Sequence, residues 1–343
     1  MVDEGSGLTP PILTLKEACD ALPSPWAREE YSAACGQPWL AVALEAEHDA
    51  AAIDALREVL PTFPCPTLAV VPDGAAPAAR SIARAFDAVV EREDELPELV
   101  TAIERSPLAS CALVQLLRGN ETRGIEEGLV AESFVYSTLQ SGPEFARWLA
   151  AQPTLRPRLP VEPPVRMERE GARLELVLDH PARRNAYSAA MRDALCEGLQ
   201  LALRDDSIEQ VVLCGNGPVF CAGGDLDEFG LLADPATAHA IRTTRSAARL
   251  LAAVASKLRA ELHGACVGAG IELPAFASHV VAREEAFFQL PEVAMGLVPG
   301  AGGTVSLPGR IGRQRTVWMA LTGQRIDLER ARAWGLVDAV ETP

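Results

Sequence analysis

The sequence predicts an α/β protein. Three observations carry that reading. Short apolar runs alternate with helical patterns through the second half of the chain. Glycine-rich turns fall where those runs should end. A stretch at 156–167, "RPRLPVEPPVRM", holds four prolines, cannot be a helix interior and reads as a stiff linker dividing the chain.

Taken in order, residues 1–35 read as an N-terminal extension and 36–155 as an N-terminal domain. Within it, "PWLAVALE" and "PTLAVVPD" look like strands flanking the helix "AAAIDALREVL". From "DELPELV" onward the segment is mainly helical. After the linker, the main domain occupies 168–343. There "ARLELVLD" (172–179) alternates like a strand, and "QVVLCG" (210–215) is a second. Between them "SAAMRDALCEGLQLALRDD" (188–206) places Met191, Leu195 and Leu199 at helical spacing, with Ser188 as N-cap. "RSAARLLAAVASKL" reads as a helix, and "RAELHG" and "HVVARE" as strands. Such alternation predicts a buried, mostly parallel sheet.

The 343 residues allow two domains, and 48% hydrophobic content supports a sizeable core. No run of about 18 uncharged apolar residues occurs, so no membrane-spanning helix is expected. The N-terminus lacks a basic-then-apolar leader pattern, and a cytoplasmic protein is expected. A formal net charge of −16 argues against nucleic acid and anionic membranes as partners. The eight cysteines form no CxxC pair, and the five histidines are scattered. Reduced thiols and no metal site are expected.

Three glycine-rich turns carry the chemistry: "VFCAGGDLDEF" (219–229), "ELHGACVGAGIELPAF" (261–276) and "QLPEVAMGLVPGAGGT" (289–304). Small residues let backbone N–H groups point into a site, and two converging N–H groups stabilise a developing oxyanion. Glu272 follows such a turn inside an apolar run, where a carboxylate is costly unless paired, hydrogen-bonded or protonated. Taken singly, each turn also fits a plain strand end. Glu272 would then complement a helix dipole, and Glu292 would cap the turn after Pro291.

The motifs "HPARRNAYSAAM", "FCAGGDL", "HGACVGAGIEL", "FFQLPEVAMGLVPGAGGTVSLPGRIG" and "LTGQRIDLERARAWGLVDAV" occur in this order. From about Val165 to Val340 the chain resembles the crotonase (enoyl-CoA hydratase/isomerase) superfamily. The resemblance implies a crotonase-like ββα spiral core at 168–343 and an acyl-CoA thioester as substrate. It implies no cofactor beyond coenzyme A within that substrate, and a homotrimer or hexamer. By motif, the backbone N–H groups of Gly224 and Ala269 would form the oxyanion hole. Glu272 and Glu292 match the two glutamates that hydratases use, with Glu272 helping to activate water and Glu292 protonating C2. Arg183, Arg184, Ala186 and Ala222 match positions near coenzyme A, although the arginines also fit a solvated turn. Asp225 is expected to hold the first turn. The implied reaction is hydration of a 2-enoyl-CoA. The alternatives are isomerisation or another crotonase reaction on the same scaffold, and, from another class, a non-catalytic CoA-binding scaffold subunit.

The family core continues into a helical C-terminal segment that covers the acyl pocket. In this chain, residues 86–152 resemble that segment, including an "EGL…E…YST" pattern, yet precede the core. Residues 36–85 would be a shrunken remnant of a preceding core. A basic pair common near the end of that segment is missing around Ala151 and Gln152, and Arg156 or Arg158 would substitute. Ala269 stands where glycine is commoner. Pro274 follows Glu272 closely and is tolerated only in a helix's first turn.

Overall fold

Runs of Val, Leu and Ala supply the strands here, and the stretches between them cross over as parallel pairing requires. The computed structural model describes residues 12–44, 50–71, 77–90, 95–153, 163–231 and 234–341. Arg156 and Arg158 lie outside the described residues. The chain divides into two units, Met1–Gln115 and Leu116–Pro343.

The first unit runs β1 (Leu13–Thr14), α1 (Leu15–Ala21), α2 (Ala27–Glu30), β2 (Leu40–Ala43), α3 (Ala50–Val59), β3 (Thr67–Val70), α4 (Pro77–Ala83), β4 (Ala88–Val90), α5 (Leu96–Arg105) and the start of α6 (Pro107–Asn120). Strands β1 to β4 form one sheet in that order, every pair parallel. The residues read as an extension, 1–35, thus include a sheet strand. Thr14 opens α1 through a capping box with Glu17. Leu40, Val42, Leu56, Phe63 and Phe86 belong to one buried cluster. Asp87 is buried, and its carboxylate accepts from Thr67 N at 2.8 Å and Thr67 Oγ1 at 2.9 Å.

The second unit holds the rest of α6, then α7 (Ile125–Gln140), α8 (Pro143–Ala150), β5 (Val165–Glu170), β6 (Arg173–Leu178), α9 (Ala189–Arg204), β7 (Gln210–Gly215), α10 (Pro235–Thr244), α11 (Ala247–Ala253), β8 (Leu258–Leu262), β9 (Ala265–Val267), α12 (Ala269–Glu272), β10 (His279–Ala282), β11 (Phe287–Gln289), α13 (Gly303–Ile311), α14 (Arg313–Thr322), α15 (Leu328–Trp334) and β12 (Ala339–Val340). Its main sheet has the order β12-β10-β8-β7-β6-β5. All pairs are parallel except the β5–β6 hairpin. A second small sheet pairs β9 with β11. Ser188 caps α9 by accepting from Met191 N at 3.1 Å, and Met191, Leu195 and Leu199 are buried, as their spacing predicts.

The division between the two units falls within α6. The physical reason is that α7 and α8 pack on the core of the same chain. The start of α8 abuts Gly296, where an added Cβ would lie 2.5 Å from Phe145 N. The stretch read as linker also ends early, because β5 begins at Val165. Among the described residues no helix is long and apolar enough to cross a membrane.

Candidate active site

The two small-residue turns meet because the strands before them are tied together. Cys221 and Cys266 form an isolated parallel bridge, with Cys221 N donating to Ala265 O and Val267 N to Cys221 O. Tyr187 N donates to Gly223 O at 2.8 Å, and Asp225 N donates to Tyr187 O at 3.2 Å. Those bonds fix the backbone on both sides of Gly224 and leave its own N–H without an acceptor among the described residues. On the second turn, Gly268 N donates to Gln289 O, and Ile271 N and Glu272 N donate to Gly268 O. Ala269 opens the short helix α12, and its N–H also has no protein acceptor. The α12 turn ends before Pro274, which starts a separate 3₁₀ turn, so the proline interrupts no helix.

Gly268 is required here. It sits at φ +51°, and a Cβ would collide with Glu292 Oε1. The same atom would approach Gly223 Cα to 3.7 Å. One small residue therefore lets the first turn, the second turn and the Glu292 carboxyl share a site.

Gly224, Ala269, Glu272 and Glu292 all line one cavity of about 390 Å³ within the second unit. The third turn supplies its hydrogen bonds. Glu272 Oε2 accepts from Ala301 N at 2.7 Å and Gly303 N at 2.9 Å. Glu132, from α7, takes the alternate donors: Oε1 accepts from Gly302 N at 2.7 Å, and Oε2 from Thr304 N at 3.0 Å and Thr304 Oγ1 at 2.7 Å. Two carboxylates thus divide the free N–H groups at the start of α13, where donors lack intrahelical partners. Glu292 differs, since its Oε2 is buried without any hydrogen-bond partner.

Burial raises all three carboxyl groups, because a low dielectric disfavours the charged form. Glu132 rises to about 7, opposed by its bonds to Thr304 and Gly302. Glu292 rises to about 8, with Glu132 adding to the effect of burial. Glu272 rises well above the usual range, through burial and then the nearby Glu292 and Glu132.

Arg183, Arg184, Ala186 and Ala222 do not line the cavity themselves, although Arg183 meets Asp225, which does. Arg183 Nη2 is held by Asp225 Oδ1 at 2.6 Å and Asp227 Oδ2 at 2.5 Å. Asp225 also accepts from Asp227 N, so it does brace the first turn. Arg184 is exposed, and its carbonyl accepts from Ala222 N at 3.0 Å. Ala186 N donates to Arg183 O. Between these residues, Asn185 is fully buried. Its Nδ2 donates to the carbonyls of Asn216, Val219 and Phe220, and its Oδ1 accepts from His180 N.

Sequence reading missed three cavity residues. Glu132 and Tyr136 sit in the "EGL…E…YST" pattern, but their partners lie far along the chain. Arg242 lies on α10, a helix not read from the sequence. The adjacent Asp234–Pro235 pair was its available signal: Asp234 accepts from Ala236 N and Thr237 N, and Pro235 is the first helical residue.

The chain is similar to several known proteins. The 2,3-dehydroadipyl-CoA hydratase of Escherichia coli K12 is 40% identical over 169 residues, 49% of this chain and 65% of that protein. The putative enoyl-CoA hydratase/isomerase YngF of Bacillus subtilis 168 is 34% identical over 169 residues, with the same coverage of 49% and 65%. The match therefore spans slightly under two thirds of these relatives. A solved enoyl-CoA hydratase from Thermoplasma volcanium GSS1 is 32% identical, at a TM-score of 0.48, covering 52% of this chain and 72% of that one. The family described as enoyl-CoA hydratase/isomerase matches residues 168–342, more than half of the sequence. By that match, and with all five quoted motifs inside the second unit, the chain belongs to the enoyl-CoA hydratase/isomerase family.

Proposed function

We propose that this cavity hydrates a trans-2-enoyl-CoA thioester by syn addition of water. One observation supports the reading most: two N–H groups without acceptors among the described residues, those of Gly224 and Ala269, line the same cavity as the buried Glu272 and the half-buried Glu292. The thioester oxygen would accept from both N–H groups, which then act where charge develops as the enolate forms. Glu272 and Glu292 would divide base and acid between them.

The environments favour a particular split. Two carboxyls in one apolar cavity do not readily ionise together. Glu272 Oε2 meets two N–H donors, which favour charge on that group against the burial and neighbouring carboxyls that raise it. Burial and then Glu132 push the Glu292 carboxyl up to about 8, and its Oε2 meets no donor among the described residues. Glu272 would then activate the water that attacks C3, and Glu292 would deliver a proton to C2. Coenzyme A enters as part of the substrate, with Arg184 as its exposed basic contact. A homotrimer or hexamer belongs to the same proposal, and light scattering tests it.

Hydration of crotonyl-CoA, followed as loss of the conjugated-thioester absorbance, is the direct assay. A second reading, double-bond isomerisation, draws on the free Oε2 of Glu292, an oxygen able to shuttle a proton. Conversion of a 3-enoyl-CoA without hydration of crotonyl-CoA would decide for it. A scaffold role would be preferred if Glu272→Gln and Glu292→Gln left the biological activity intact.

A further inference from the structure

Resting on the acyl-CoA reading above, we propose that the cavity takes an acyl chain ending in a carboxylate, and that Arg242 binds that end. Arg242 lines the same cavity as Glu272 and Glu292. Its partners are all neutral. Nε donates to Ser133 Oγ at 3.1 Å, Nη1 to Gln140 Oε1 at 3.3 Å, and Nη2 to Ser133 O at 3.4 Å and to Ser137 Oγ. The guanidinium carbon lies 4.7 Å from the Tyr136 ring centre. Among the described residues no carboxylate reaches ion-pair distance of it. The other cavity arginines differ: Arg192 pairs with Asp193 at 2.8 Å, and Arg245 with the same aspartate at 3.3 Å.

A guanidinium drawn out of water needs a compensating charge. α7 orients Arg242 with hydroxyls and an amide, and the Glu132 carboxyl acts on its charge without reaching ion-pair distance. One Nη1 hydrogen stays uncommitted, since Gln140 takes only one of two. Two phenols join it. Tyr136 and Tyr187 line the cavity, and neither hydroxyl has a protein partner. A methyl-ended chain packed there would strand a cation and two hydroxyls. A carboxylate would accept from the guanidinium and a phenol together, as charge-assisted bonds do. Among the described residues, none of the cavity's own carboxylates forms an ion pair or hydrogen bond with Arg242. Glu132 spends both oxygens on Gly302 and Thr304, and Glu272 Oε2 is committed to Ala301 and Gly303.

The test uses the full chain and two saturated acyl-CoA thioesters of equal length, one ending in a carboxylate and one in a methyl. Calorimetry should show the carboxylate-ended thioester binding roughly ten- to hundredfold tighter. Arg242→Gln should bring that ratio to within about threefold, and Arg242→Lys should restore part of it. The corresponding trans-2-enoyl-CoA pair should show the same ranking in KM. Equal or tighter binding of the methyl-ended thioester by the unsubstituted protein would overturn the inference, whether or not the variants fold. So would an Arg242→Gln variant that weakens both thioesters alike. A binding preference without hydration of either enoyl-CoA would support this inference and sink the hydratase reading alone.

Discussion

Replacing Glu132 by alanine should damage both stability and catalysis, although this residue lies before the proline-rich stretch and outside the family match. Its carboxylate accepts three hydrogen bonds, two from the N–H groups of Gly302 and Thr304 and one from the Thr304 hydroxyl. Thr304 is fully buried, and Gly302 is buried. The hydroxyl can rotate to another acceptor, but the two N–H groups cannot. A buried donor left unsatisfied costs about 1–3 kcal/mol, so the pair amounts to about 2–6 kcal/mol. Removing a buried carboxylate offsets part of that, leaving about 3 kcal/mol. For a unit of this size, that lowers Tm by about 6–12 °C. Catalysis suffers through geometry. Gly302 and Thr304 alternate with Ala301 and Gly303, whose N–H groups hold Glu272. A shift of about 1 Å in a catalytic group costs about a hundredfold. Thermal melts and crotonyl-CoA hydration, resolved into kcat and KM, give the two readouts. Glu132→Gln keeps the shape and one acceptor, and should fall between. An alanine variant within about 1 °C of the parent Tm and about twofold of its kcat would refute the reasoning.

The remaining predictions concern the site itself. Glu272→Gln and Glu292→Gln should each lower kcat about 10²–10⁴-fold while the protein stays folded by circular dichroism, and parental turnover would remove them from the chemistry. Gly268→Ala should reduce kcat more than KM changes, because its Cβ would displace the Glu292 carboxyl and its φ of +51° adds strain; a normal kcat would show that the turn relaxes freely. Stability should fall as pH rises. Glu132 and Glu292 hold protons in the folded state up to about 7 and 8, but lose them near 4.5 when unfolded. Between those limits the native state binds more protons, so their contribution is complete below about pH 4.5 and drains away by about pH 8. Tm should decline across that window, and Glu292→Gln should flatten the decline. An unchanged slope in the variant would contradict the shift.

Much of this was legible in the sequence because local rules agree with the fold. The run at 210–215 is a strand, Ser188 caps α9, and three small-residue turns converge on one cavity. β5 escaped because it is an edge strand. Of its residues only Val165 is buried, so no apolar alternation marks it. β1 is two residues long and offers no period at all. Glu132 was visible only as part of the "EGL…E…YST" pattern, since nothing local reveals partners 170 and 172 residues away. Arg183 has partners that the sequence did not disclose. Its position fits coenzyme A by motif, but Asp225 and Asp227 occupy its guanidinium, and that pairing depends on how the first turn folds back.

The placing of α7 ahead of the core has a consequence for synthesis. The ribosome releases Glu132 long before Thr304, its partner 172 residues later. At ordinary elongation rates that interval lasts roughly 10–30 s. Through that time α7 must keep a face prepared for a turn that does not yet exist, and closing so long a loop also slows the last step. When the core follows, α7 is already on the chain to receive it, and the cavity can close only after the last glycine-rich turn has been made.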